Sequence, residues 1–139
     1  MRRFAALGLG LLAAAGCGGS DTPRENKPRP APPVTMTAAV QDDIVRVSPE
    51  QVGAGQVLLI VSNQSDRPQK VTFETDELGG SQAGTRASSP TIPAGATGRL
   101  TINVRRGTYS VHVEDDAIRA ARVRVGAPRK SGQDDLLLP

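Results

Sequence analysis

From Gly98 to Val113 the chain alternates apolar and polar side chains twice, with a glycine corner between the two runs. Leu100, Ile102 and Val104 interleave with Arg99, Thr101 and Asn103; then Tyr109, Val111 and Val113 interleave with Thr108, Ser110 and His112. A period of two sends successive side chains to opposite faces of a pleated strand, so each run has one face for a core and one for solvent. Arg105-Arg106-Gly107 is a tight corner, and Ile92-Pro93-Ala94-Gly95 supplies a turn just before the first run. Two half-buried strands cannot bury their apolar face alone, so the stretch predicts a second layer of sheet.

The flanking sequence supplies that layer. Val34–Val40 reads as a first strand and Ile44–Val47 as a second, joined by an Asp42-Asp43 turn. Ser48-Pro49 breaks regularity, and Gly53-Ala54-Gly55 is expected to turn the next corner. Gln56–Asn63 holds the densest apolar run, Val57-Leu58-Leu59-Ile60-Val61, which predicts a central strand covered on both faces. After a polar turn at 63–68, Lys70–Glu74 alternates with Val71 and Phe73 inward. Residues 76–90 are rich in Gly, Ser and Ala and read as one long irregular loop, mobile or functional. Ile118–Val125 closes the set with Val123 and Val125 inward. Seven short strands within residues 34–126 predict a single all-β domain, a Greek-key β-sandwich of cupredoxin-like or immunoglobulin-like type. It is long enough to fold without disulfides.

The N-terminus carries a different message. Met1-Arg2-Arg3 is charged, Phe4–Ala15 is apolar or glycine throughout, and small residues precede the only cysteine, Cys17. That is a secretory leader, short for a membrane span. The small residues before Cys17 resemble the bacterial lipoprotein lipobox, with Ala14 where leucine is commonest. The resemblance implies a signal peptide over 1–16 and lipid attachment at Cys17. It also implies an address on the extracytoplasmic face of the bacterial cell membrane. Residues 17–33 hold five prolines and almost no large apolar side chain, the composition of a disordered tether. Extended, it reaches about 50 Å. Residues 127–139 read as a disordered tail ending in three leucines.

Charge does not point to nucleic acid. Without Arg2 and Arg3 the chain has 15 basic against 14 acidic side chains, and residues 34–126 carry ten of each. Polyanion binding needs clustered cations and stacking aromatics, whereas Phe73 and Tyr109 are the only aromatics beyond the leader.

Three segments resemble the cupredoxin-like domains: Ser48-Pro49 with Val52 and Gly55 leading into Val57–Asn63; Ile92-Pro93-Ala94-Gly95 before an alternating strand; and Gly107–Val113. The resemblance covers most of residues 44–126 and implies the sandwich fold. Its copper-binding members hold the metal with two imidazoles, a thiolate and a weak axial methionine. Here the first histidine position falls at Gln69-Lys70, the cysteine position at Val113, and Glu114–Arg122 contains no His, Met or Cys. The resemblance therefore comes without a type-1 copper site, and no cofactor is expected.

The only histidine, His112, lies next to Glu114, Asp115 and Asp116. With Met36, these suggest a weak oxygen-rich metal site as an alternative. Catalysis finds no support: no G-x-S-x-G elbow, no phosphate loop before a helix, and adjacent carboxylates that point apart. No catalytic residue is expected. The outward Arg99, Arg122 and Arg124 and the loop ends are the candidate surfaces of a non-catalytic binding or accessory module. Its expected partners are the membrane, through lipid on Cys17, and an envelope protein.

Overall fold

In a computed structural model of the chain, residues 29–76 and 84–132 are described. Their regular elements are eight strands: β1 (Val34–Val40), β2 (Val45–Ser48), β3 (Gln51–Asn63), β4 (Val71–Thr75), β5 (Arg86–Ser88), β6 (Thr97–Val104), β7 (Gly107–Val113) and β8 (Ala121–Pro128). They form two layers that share one strand. In the first, β2 pairs β1, β1 runs parallel to β3, and β6 runs antiparallel on the far side of β3. In the second, β3 runs parallel to β8, followed by β7, β4 and β5.

The alternation decides which face of each layer is buried. Met36, Val40, Val57, Leu59, Val61, Ile102 and Val104 point inward from the first layer. Val71, Phe73, Tyr109, Val111, Val113, Val123 and Val125 meet them from the second. The rings of Phe73 and Tyr109 make an edge-to-face contact at 5.6 Å. The Tyr109 hydroxyl accepts a hydrogen bond at 2.9 Å from the Arg105 backbone N–H, which closes the β6–β7 corner. Every buried hydrophobic side chain among the described residues lies between Met36 and Val125.

β3 departs from expectation at both ends. The glycine corner at 53–55 is not a loop between strands but a bend inside one. Up to Ala54 the chain runs beside β8, and from Gly55 it runs beside β6, with a register shift between Gly53 and Ala54. Gly55 takes φ +133°, a conformation that side-chain-bearing residues rarely adopt. The run Val57–Val61 is also not covered on both faces. Val57, Leu59 and Val61 are buried, while Leu58 and Ile60 are only half-buried, because among the described residues no element covers the outer face of this layer.

The region expected to be one irregular loop contains β5. Arg86–Ser88 pairs with Glu74–Thr72 on the edge of β4, and Ser89 continues the contact through its main chain and hydroxyl to Val71. Strand pairing there satisfies main-chain groups and needs little apolar side chain. Residues 77–83 of that loop lie outside the described residues. At the C-terminal side β8 runs to Pro128, two residues past the expected boundary.

The strand directions define two ends of the sandwich. One gathers the β1–β2 turn, residues 63–70, the turn at 92–96 and residues 114–119. The other gathers the chain entering β1, the bend in β3, the β6–β7 corner and the residues after β8.

Candidate functional site

Asn63, at the end of β3, organises the first of these ends. Its side chain is fully buried. Its amide nitrogen donates to the Arg67 carbonyl at 2.7 Å and the Ile92 carbonyl at 2.9 Å. Its amide oxygen accepts from the Ser65 backbone N–H at 3.1 Å and the Ser65 hydroxyl at 2.7 Å. An amide offers two donors and an oxygen with two lone pairs, so this set uses all of them. The main chain adds two further links. Asn63 N–H donates to the Ala96 carbonyl, and its carbonyl accepts from Gly95, which turns at φ +72°.

Gln69 and Lys70 stand where the sequence resemblance places the first copper imidazole, and Lys70 is exposed and turned to Glu114. Gln69 lies inward. It is buried, exchanges two main-chain hydrogen bonds with Ile92, and its side-chain nitrogen donates to the Ser65 hydroxyl at 3.4 Å. Val113 and Ile118 are also buried at this end. Among the described residues no buried side-chain nitrogen or oxygen lacks a partner. No group of three or more His, Cys, Asp or Glu side chains among them stands close enough to hold a metal. The end of the sandwich is thus filled by side chains that satisfy one another.

A charged cleft of about 370 Å³ lies beside this network, lined by Arg67, Gln69, Lys70, Thr91, Glu114 and Asp115. Lys70 meets Glu114 at 3.7 Å with both side chains exposed, and Arg67, exposed, meets the half-buried Asp115 at 3.8 Å. Such pairs are worth little energetically.

The histidine is where alternation put it, facing out from β7, but its carboxylate partner is not the one its neighbours in sequence suggested. His112 Nε2 lies 2.9 Å from Oε1 of Glu74, across the β4–β7 ladder, and Nδ1 lies 3.2 Å from its own neighbour's carbonyl, that of Val113. Glu74 Oε2 in turn meets Arg86 of β5 at 3.4 Å. Glu114 turns to Lys70, and Asp115 accepts from the Ala117 N–H and reaches Arg67. Met36 is fully buried in the core. The metal site sketched from His112, Glu114, Asp115, Asp116 and Met36 is therefore not assembled, because the β7–β8 connection carries the acids to the end of the sandwich while Met36 points into it. Glu74 was missed for want of register: an outward glutamate on one strand becomes a partner only once the strand beside it is known.

The three outward arginines separate as well. Arg122 and Arg124 stand on β8 and share the outer face of the second layer with His112 and Glu74, and Arg122 meets Asp76 at 3.7 Å. Arg99 stands on β6, on the outer face of the other layer, paired with Ile60. Cys17 lies outside the described residues.

The two-layer all-β sandwich is cupredoxin-like, as the comparison with solved structures shows. The chain is similar to auracyanin A, a "blue" copper protein from the green thermophilic photosynthetic bacterium Chloroflexus aurantiacus. The TM-score is 0.51 at 14% identity, covering 68% of this chain and 100% of that one. It also matches an oxidised single-residue mutant of amicyanin, at 19% identity over 66% of this chain and 82% of that one, with a TM-score of 0.46. No family model matches the sequence, and no curated protein matches it. At these identities the likeness concerns the fold.

Proposed function

We propose that this chain is a lipid-anchored lipoprotein of the bacterial envelope, whose cupredoxin-like domain acts as a non-catalytic binding or accessory module without a copper site. The observation that carries the reading is the Asn63–Ser65–Gln69 network. Where the resemblance places the first copper imidazole, this chain has Gln69, buried and already hydrogen-bonded to its neighbours, and Lys70, exposed and turned to Glu114. A glutamine amide is a poor substitute for imidazole at a soft-metal site. The leader and the small residues before Cys17 support anchoring and an extracytoplasmic address. A non-catalytic role is supported by the surroundings of His112. Its ring nitrogens face Glu74 and a carbonyl, with no serine or threonine hydroxyl of the described residues on either, and nucleophile activation needs such a contact.

Two measurements test this. Copper and zinc titration of residues 18–139 by calorimetry is expected to give no heat of binding, with and without His112→Ala; micromolar binding lost in His112→Ala overturns the copper-free reading. Mass spectrometry of the mature protein from membranes is expected to find an acylated N-terminal Cys17, and Cys17→Ser is expected to leave the membrane fraction. An unmodified Cys17 in a secreted chain overturns the anchoring.

A further inference from the structure

The two ends of the sandwich carry opposite charge. At the Asn63 end stand Asp42, Asp43, Asp66, Glu114, Asp115 and Asp116 against Arg46, Arg67, Lys70 and Arg119. Three of those cations are paired with an acid of the same end, Arg67 with Asp66 and Asp115, Lys70 with Glu114, and Arg119 with Asp43, while Arg46 donates to the Gln41 side chain. At the opposite end the described residues include Arg29, Arg105, Arg106, Arg124, Arg129 and Lys130, against Glu50 and Asp76. Asp76 is taken up by Arg122. Arg105, Arg106, Arg124 and Lys130 are exposed, and none takes part in an ion pair among the described residues. Arg105 and Arg106 project from the corner that the Tyr109 hydroxyl holds, so their backbone is fixed before any partner arrives.

The N-terminal chain joins the domain at this same basic end. Arg129 Nη1 donates to the Pro32 carbonyl at 2.7 Å. Its Nη2 donates to Gln56 O at 2.6 Å and its Nε to Gly53 O at 3.2 Å, which fastens the entering chain to the bend of β3. The described chain thus enters the domain at the end that carries Arg105, Arg106 and Lys130.

We propose that this basic end is a docking face for an anionic lipid surface, and that it sets the domain upright with its acidic end turned away from the bilayer. The docking face stands on charge and geometry alone; the upright posture rests on the anchoring reading above. Each basic side chain brought to an anionic bilayer is worth about fivefold in partitioning. Four unpaired ones suffice for a measurable, salt-sensitive affinity without any apolar insertion. The 11 residues between Cys17 and Arg29 span up to about 34 Å when extended, ample slack for the domain to settle onto the surface.

The test uses residues 18–139, which retain the core of the described residues (Met36–Val125) and lack both leader and Cys17, in sedimentation with lipid vesicles. Binding is expected to phosphatidylcholine vesicles containing phosphatidylglycerol at low salt, and not to phosphatidylcholine alone. It is expected to fall away at about 0.5 M salt, where screening shortens the reach of charge to a few Å. Arg105→Ala with Arg106→Ala should weaken it about 25-fold, and Arg99→Ala on the side face should leave it unchanged. Circular dichroism of each variant checks that it is folded. No binding to the anionic vesicles at low salt, equal binding to both vesicle types, or a double variant that binds as well as the parent overturns the docking face. None of these readings depends on whether Cys17 carries lipid.

Discussion

Both ends of the sandwich gather main-chain carbonyls around one nitrogen-bearing side chain, yet they do so in opposite media. Asn63 is fully buried, neutral, and carries both donors and acceptors, so it uses up its own surroundings: two carbonyls, one N–H and one hydroxyl. Arg129 is only partly buried and purely a donor, and it collects the carbonyls of Gly53, Ala54, Gln56 and Pro32 while its charge stays within reach of water. A guanidinium in the place of Asn63 would be buried with neutral carbonyls and no counter-charge, whereas at the rim solvent shares that burden. The amide closes one end of the protein; the guanidinium fastens the other at its solvent-facing rim.

Substitution at Asn63 should break the comparison most sharply. Asn63→Asp is nearly isosteric but sets a carboxylate against the carbonyls of Arg67 and Ile92. It is expected to cost about 3 kcal/mol or more in urea unfolding at neutral pH. A loss under about 1 kcal/mol, the size of one ordinary hydrogen bond, would mean that the network is not needed to hold the end together.

Arg129 should come next. Arg129→Ala is expected to cost about 1–2 kcal/mol, and Arg129→Lys to recover little of it, since an ammonium cannot fork between four carbonyls. The neighbouring glycine sharpens this, because a Cβ on Gly53 would stand 2.5 Å from the Arg129 side chain. Gly53→Ala should therefore cost less in the Arg129→Ala background than alone. Strict additivity of the two would show that the bend does not need the arginine seated in it.

The smallest effect belongs to the middle of the second layer. A double-mutant cycle on His112→Ala and Glu74→Ala is expected to give a coupling of about 0.5–1 kcal/mol, fitting a half-exposed pair on a sheet face. A coupling above about 2 kcal/mol would move this pair from surface detail to a principal contact of the fold.

What could be read from the sequence followed the side-chain period. The inward sets of β6 and β7, Val71 and Phe73 on β4, and Val123 and Val125 on β8 are all buried as alternation requires. Features that depend on what lies alongside were not legible. β5 is three residues without an apolar alternation, held by the edge of β4. Leu58 and Ile60 read as core, and only the lack of a third layer among the described residues leaves them half-buried. The separation of Arg99 from Arg122 and Arg124, and the pairing of His112 with Glu74, follow from strand order. Asn63 reads as an ordinary turn residue, since the carbonyl of Ile92 that it holds lies 29 positions along the chain.

The parallel pairing of β1 with β3 has a mechanical consequence. Tension entering the chain ahead of Val34 first meets the Arg129 clasp on Pro32. Beyond it, the pull runs along the axis of β1, whose seven residues pair in register with Val57–Asn63 on one side while its last four pair with β2 on the other. A strand pulled lengthwise between two neighbours slides against many hydrogen bonds together, where one peeled from an edge gives them up singly. The first strand is thus set in the sheet as a pin under shear.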